Sequence, residues 1–146
     1  MKVNKYICCI LAMFILVSVS MVGCAPSYQK YTLTTAIENE ICQSYWDTYV
    51  KESKSITVAD LRAECVYQTE EIYAVFIHDP SLMYTTALRE ETVGGITLKF
   101  NNGQPLYIYN QGEMCNLKTA FENEIIGLDY LKNLKTALNS FNRTDS

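Results

Sequence analysis

Residues 92–116 read "TVGGITLKFNNGQPLYIYNQGEMCN". Two alternating runs sit inside this stretch. Ile96, Leu98 and Phe100 alternate with Thr97 and Lys99, and Leu106 and Ile108 alternate with Tyr107 and Tyr109. A period of two is the mark of a strand with one face in a core. Between the runs, Asn102-Gly103 is a strong hairpin signal, because a two-residue turn needs positive φ. The spacing therefore predicts a hairpin that pairs residues 96–100 with 106–110. Gly94-Gly95 reads as a break, and Gln111-Gly112 as a second turn leading to Glu113-Met114-Cys115.

Upstream lies a second pair of strands. Ala63 to Gln68 and Ile72 to His78 flank a turn at Thr69-Glu70-Glu71. The second strand is apolar on both sides, with Tyr73, Val75 and Ile77 on one and Ala74 and Phe76 on the other. Such a strand belongs in the middle of a sheet covered on both faces. Asp79-Pro80-Ser81 ends it. Residues 82–92 are readable as a helical turn, a loop or an edge strand. Helices bracket the strands. Thr35 and Glu38 fit a capping box at the start of one, with Ile37, Ile41, Tyr45 and Tyr49 as its apolar stripe and an end near Lys51 to Lys54. Trp46 sits off the stripe, as a core edge or a binding anchor. Thr57 and Asp60 make a further local cap or turn. Asn116 caps a short helix through Phe121, and a longer helix runs from Leu128 to Ser140 with Leu128, Leu131, Leu134, Leu138 and Phe141 on one face. Helix, strands, then helices predicts an α+β fold: an N-terminal helix, an antiparallel sheet of about four strands in two hairpins, and two C-terminal helices. The single domain spans 34–141, with a frayed tail at 142–146.

The first residues carry an address. Lys2 and Lys5 precede an apolar run, "YICCILAMFILVSVSM", at 6–21. A positive start, a short apolar stretch and small residues read as a secretory signal peptide over residues 1–23. The run falls short of the roughly 20 residues that a membrane span needs. Met21-Val22-Gly23-Cys24 resembles the lipobox of bacterial lipoproteins, with Met where Leu is usual. The resemblance implies that the Cys24 thiol receives a diacylglycerol, that cleavage precedes it, and that residues 24–33 form a lipidated tether. The protein is then extracytoplasmic and held to the bacterial cell membrane by lipid. More than one acyl chain gives stable anchoring.

Removal of the first 23 of 146 residues leaves 123, enough for one core. Two of the 12 basic residues fall in the removed segment, so the remainder sets 10 Lys and Arg against 16 Asp and Glu, a formal −6. That balance, with no basic cluster, speaks against nucleic acid as a partner. Of six cysteines, Cys8 and Cys9 lie in the signal and Cys24 in the lipobox. Cys42, Cys65 and Cys115 remain, an odd set without close spacing, best read as small buried apolar residues; one bridge among them is the alternative.

The segment from Val66 to Asn139 resembles a group of small uncharacterised extracytoplasmic proteins of Clostridia-type bacteria. Gly95-Ile96, Phe100, Asn102-Gly103, Ile108-Tyr109, Gly112, Leu117, Ala120-Phe121 and Leu131 carry the likeness. The chain departs from the pattern at Gln68 and Ile72, at Asn123-Glu124 and at Gly127. The resemblance implies a fold and a secreted life, and brings no catalytic residues.

Chemistry-bearing patterns are sparse. His78-Asp79 is the only histidine neighbourhood, and neither a nucleophile elbow nor a metal spacing nor a phosphate loop accompanies it. Glu70-Glu71 and Glu90-Glu91 read as solvated charge rather than a cation site. No pattern asks for a cofactor. A surface is the sharper candidate. If Ile96, Leu98, Phe100, Leu106 and Ile108 face the core, Tyr107, Tyr109, Thr97 and Lys99 share the opposite face, where tyrosines can grip a protein or peptide. If the C-terminal helices cover that face, these tyrosines are core. The expectation is a non-catalytic binding or interaction module in the cell envelope. The alternatives are an inhibitor or regulator of an envelope enzyme, and a small hydrolase using His78.

Overall fold

The structure, a computed structural model, describes residues 31–53, 55–83 and 88–144. The expected signal segment, Cys24 and the expected tether up to residue 30 lie outside the described residues. Six strands follow in chain order: β1 (Arg62–Gln68), β2 (Ile72–His78), β3 (Arg89–Val93), β4 (Ile96–Phe100), β5 (Leu106–Asn110) and β6 (Glu113–Asn116). The helices are α1 (Thr35–Tyr45), α2 (Leu117–Glu122) and α3 (Leu128–Thr144). The fold is α+β with a four-stranded antiparallel sheet in the order β1-β2-β5-β6 and a separate two-stranded sheet, β3-β4.

This pairing corrects the hairpin expected at Asn102-Gly103. β4 pairs with β3, Val93 opposite Ile96 and Glu91 opposite Leu98. β5 pairs with β2, Val75 opposite Tyr107, and with β6, Ile108 opposite Cys115. The reason lies in the turns and in the faces of the strands. Gly94 and Gly95 have φ of 57° and 76°, which suits the tight two-residue turn that right-twisted strands prefer. Gln111 and Gly112, at 47° and 85°, do the same between β5 and β6. At Asn102-Gly103 the Asn102 Oδ1 accepts from the Gln104 N–H instead, and Pro105, which has no N–H, follows. The chain there crosses between sheets. β2 is apolar on both faces and needs a like neighbour. β5 is one, while β4 carries exposed Lys99 and suits a one-sided hairpin.

The sheet separates two cores. On one face Ala74, Phe76 and Ile108 pack with Leu98 and Phe100 of the β3-β4 hairpin and with Leu131, Leu134, Leu138 and Phe141 of α3. Phe76 meets Phe100 edge-on at 5.9 Å and Phe141 at 5.5 Å. On the other face Val75, Ile77, Tyr109 and Met114 pack with Ile41, Cys42 and Tyr45 of α1. The tyrosine face is thus covered by the N-terminal helix rather than by the C-terminal pair.

Local signals hold with shifts. Thr34, one residue before the expected cap, accepts from the Ile37 N–H at 3.3 Å. Glu38 does not close a capping box; its carboxylate accepts from the Ala63 N–H of β1 at 3.1 Å. Tyr31 bridges Cys65, so the end of the expected tether is already an extra pairing on the β1 edge. Asn116 caps α2 as expected, accepting from Thr119 N–H at 2.8 Å. The expected frayed tail is helical through Thr144, and Asn142 Nδ2 donates to the Lys99 carbonyl at 2.9 Å. Leu128 is exposed, and Tyr130 takes a buried place on that face.

Candidate functional site

α1 does not end where its hydrogen bonds first could. It continues as a π-helical turn, Trp46–Val50, in which the Lys51 N–H reaches back five residues to the Trp46 carbonyl at 2.8 Å. The wider turn moves the apolar register by one residue. Val50, not Tyr49, follows Tyr45 into the core, and Tyr49 is left 46 % exposed. Trp46 lies at the core edge and donates from Nε1 to the Ile56 carbonyl at 3.1 Å.

The displaced Tyr49 lies against two other tyrosines. Its ring centroid is 5.3 Å from Tyr45 and 5.2 Å from Tyr107, and Tyr45 and Tyr107 are 5.5 Å apart. Three aromatic rings in mutual contact, tilted 41–71° to one another, make a packed shelf at the seam between α1 and β5. Asp79 fixes it from below. Its Oδ2 accepts from the Tyr45 hydroxyl at 3.0 Å, and its Oδ1 accepts from the Ser81 N–H at 2.9 Å and from the Ser81 hydroxyl. This carboxylate is 2 % exposed. A buried carboxyl group so bonded is a fixed acceptor, holding the strand end to the helix.

Between α1 and the sheet lies an open groove of about 450 Å³ walled by Glu40, Ser44 and Asp47 on α1 and its π-turn, and by Tyr109 and Gly112. Tyr109 donates to Glu40 Oε2 at 3.2 Å, and Ser44 donates to the Gly112 carbonyl at 3.1 Å. Burial pushes the Tyr109 phenol up, and its bond to Glu40 pushes further. Burial also raises Tyr49. Both phenols therefore stay protonated at neutral pH, and Tyr109 donates to Glu40.

Of the four surface residues expected from sequence, the structure brings two together. Tyr107 and Tyr109 share the seam, although Tyr109 is only 5 % exposed. Thr97 and Lys99 lie on β4 in the other sheet, where Thr97 meets the Thr92 hydroxyl at 2.9 Å and Lys99 pairs with Glu90 at 3.2 Å. The four-residue face is thus corrected, because its two halves belong to different sheets. Sequence reasoning missed the exposure of Tyr49 and the role of Asp79. The five-residue step from Tyr45 to Val50 is the signal that could have found the first. Cys24 is outside the described residues.

His78 is exposed at the end of β2, opposite Arg62 across the ladder, while the neighbouring Asp79 turns inward to Tyr45 and Ser81. Cys42, Cys65 and Cys115 are free thiols. Burial pushes Cys42 up to about 11 and Cys65 up to about 12, which suits packing rather than reactivity. Glu71 accepts from Gln111 Nε2 at 2.6 Å. Among the described residues no group of three or more His, Cys, Asp or Glu side chains is placed to hold a metal ion. No described helix is long and apolar enough to cross a membrane.

No protein family, curated protein or solved structure matches the chain.

Proposed function

We propose that this protein is a lipid-anchored protein of the bacterial cell envelope whose α+β domain is a non-catalytic binding module for a protein or peptide. The observation that carries the binding reading is Tyr49, nearly half exposed on top of two packed tyrosine rings. A tyrosine held this way loses little further entropy on binding and offers both apolar area and a hydroxyl. The anchoring rests on Met21-Val22-Gly23-Cys24 and the short apolar run before it.

Two experiments test the reading separately. Cys24→Ser should release the protein from the membrane or leave it as an unprocessed precursor; an unchanged membrane-bound mature form overturns the anchor. Full-length protein in mild detergent, used as bait on native envelopes, should capture a saturable partner that Tyr49→Ser loses. A folded bait that captures nothing, or a partner held equally by the variant, overturns the binding shelf.

A further inference from the structure

The groove beside the shelf says what kind of partner fits. This step rests on the binding reading above and narrows it. Tyr45, Tyr49 and Tyr107 form the aromatic half of the seam, and the same two elements continue into the groove walled by Glu40, Asp47 and Tyr109. Among the described residues, no basic side chain lines that groove. The chain after residue 23 carries a formal −6, so the wider field has the same sign. Tyr109, itself only 5 % exposed, orients the Glu40 carboxylate through its hydroxyl. An ammonium or guanidinium group in the groove meets the carboxylates of Glu40 and Asp47. An apolar neighbour of that cation lies over Tyr49.

We infer that the seam between α1 and β5 docks a basic segment of a partner protein, with a Lys or Arg side chain at Glu40 and Asp47, and an adjacent apolar residue on the Tyr49 shelf. Carboxylates set the sign of the partner and its rate of encounter, and the tyrosines hold it. An acidic partner is repelled by the same groups.

The probe is a labelled short peptide of alternating lysine and leucine flanked by glycine and serine, with a charge-reversed analogue in which glutamate replaces lysine. Binding to the full-length protein in detergent is read by fluorescence anisotropy at low and high salt, and by the emission of Trp46, the sole tryptophan. The expected result is saturable binding of the lysine peptide, several-fold weaker at high salt, and none of the analogue. The Glu40→Gln/Asp47→Asn pair should weaken binding about tenfold, as loss of two exposed ion pairs allows, with an unchanged melting temperature. Tyr49→Ala should weaken it as well. Equal binding of the two peptides, or full binding by the neutralised pair, overturns the basic partner. If that happens while Tyr49→Ser still loses an envelope partner, the shelf survives and only its charge preference falls. If neither peptide binds and no envelope partner depends on Tyr49, both readings fall.

Discussion

Tyr130 packs its ring on Tyr67 at 4.9 Å, yet its buried hydroxyl has no hydrogen-bond partner among the described residues. Burial drives its phenol far above the ordinary range. Removing an unsatisfied polar atom relieves a desolvation cost, so Tyr130→Phe should match or exceed the wild type by up to about 1 kcal/mol in urea unfolding. A clear loss would reveal a partner for that hydroxyl. Gly94 is the opposite case. Its φ of 57° suits glycine, and an added Cβ would lie 2.8 Å from the Phe121 ring. Gly94→Ala should cost about 1–3 kcal/mol, measured the same way, whereas the space around Gly95 is open. Asp79 completes the set. Sequence marked it as the end of a strand, and only its bonds to Tyr45 and Ser81 make it the support of the tyrosine shelf.

At the scale of elements, the π-turn and the short 3-10 turn at Val58–Asp60 behave as separate devices. The i+4 stripe of α1 predicted Tyr49 inside. The wider turn buries Val50 instead, so Val50→Ala should cost about 2 kcal/mol and Tyr49→Ala no more than about 1 kcal/mol. The reverse order would restore an α-helical register. In the 3-10 turn, the Thr57 N–H and hydroxyl donate to Asp60 Oδ2 at 2.8 and 2.9 Å. These bonds favour the carboxylate and hold its pKa below the ordinary 3.8. A depressed folded pKa stabilises above the unfolded value and loses that contribution as pH falls through the folded one. Thermal melts between pH 5 and pH 2 should therefore show a component of acid destabilisation that is absent in Asp60→Asn. Helix caps were legible because they are local: Asn116 acts as read, and Thr34 displaces Thr35 by one residue. The capping box at Glu38 was not, because a strand-edge N–H at Ala63, 25 residues away, competes for the same carboxylate.

For the whole molecule, strand order is the consequential prediction. β2 and β5 are interior strands with partners on both sides, while β3 and β4 have only each other. Amide exchange should be slowest in β2 and β5 and faster in β3 and β4. Cross-strand nuclear Overhauser contacts should join β5 to β2 and β6; contacts joining β4 to β5 would restore the hairpin at Asn102-Gly103. Periodicity and local turn chemistry made legible the fold class, the position of most strands and helices, the two-sided burial of β2 and the shared face of Tyr107 and Tyr109. Tertiary structure alone decided which strands pair, which helix covers Tyr107 and Tyr109, and that Thr97 and Lys99 part company with them. Three glycine turns lie within twenty residues, and each is locally compatible with a hairpin. What selects among them is the need of β2 for an apolar neighbour on its open edge, a demand set by packing between residues far apart in the chain.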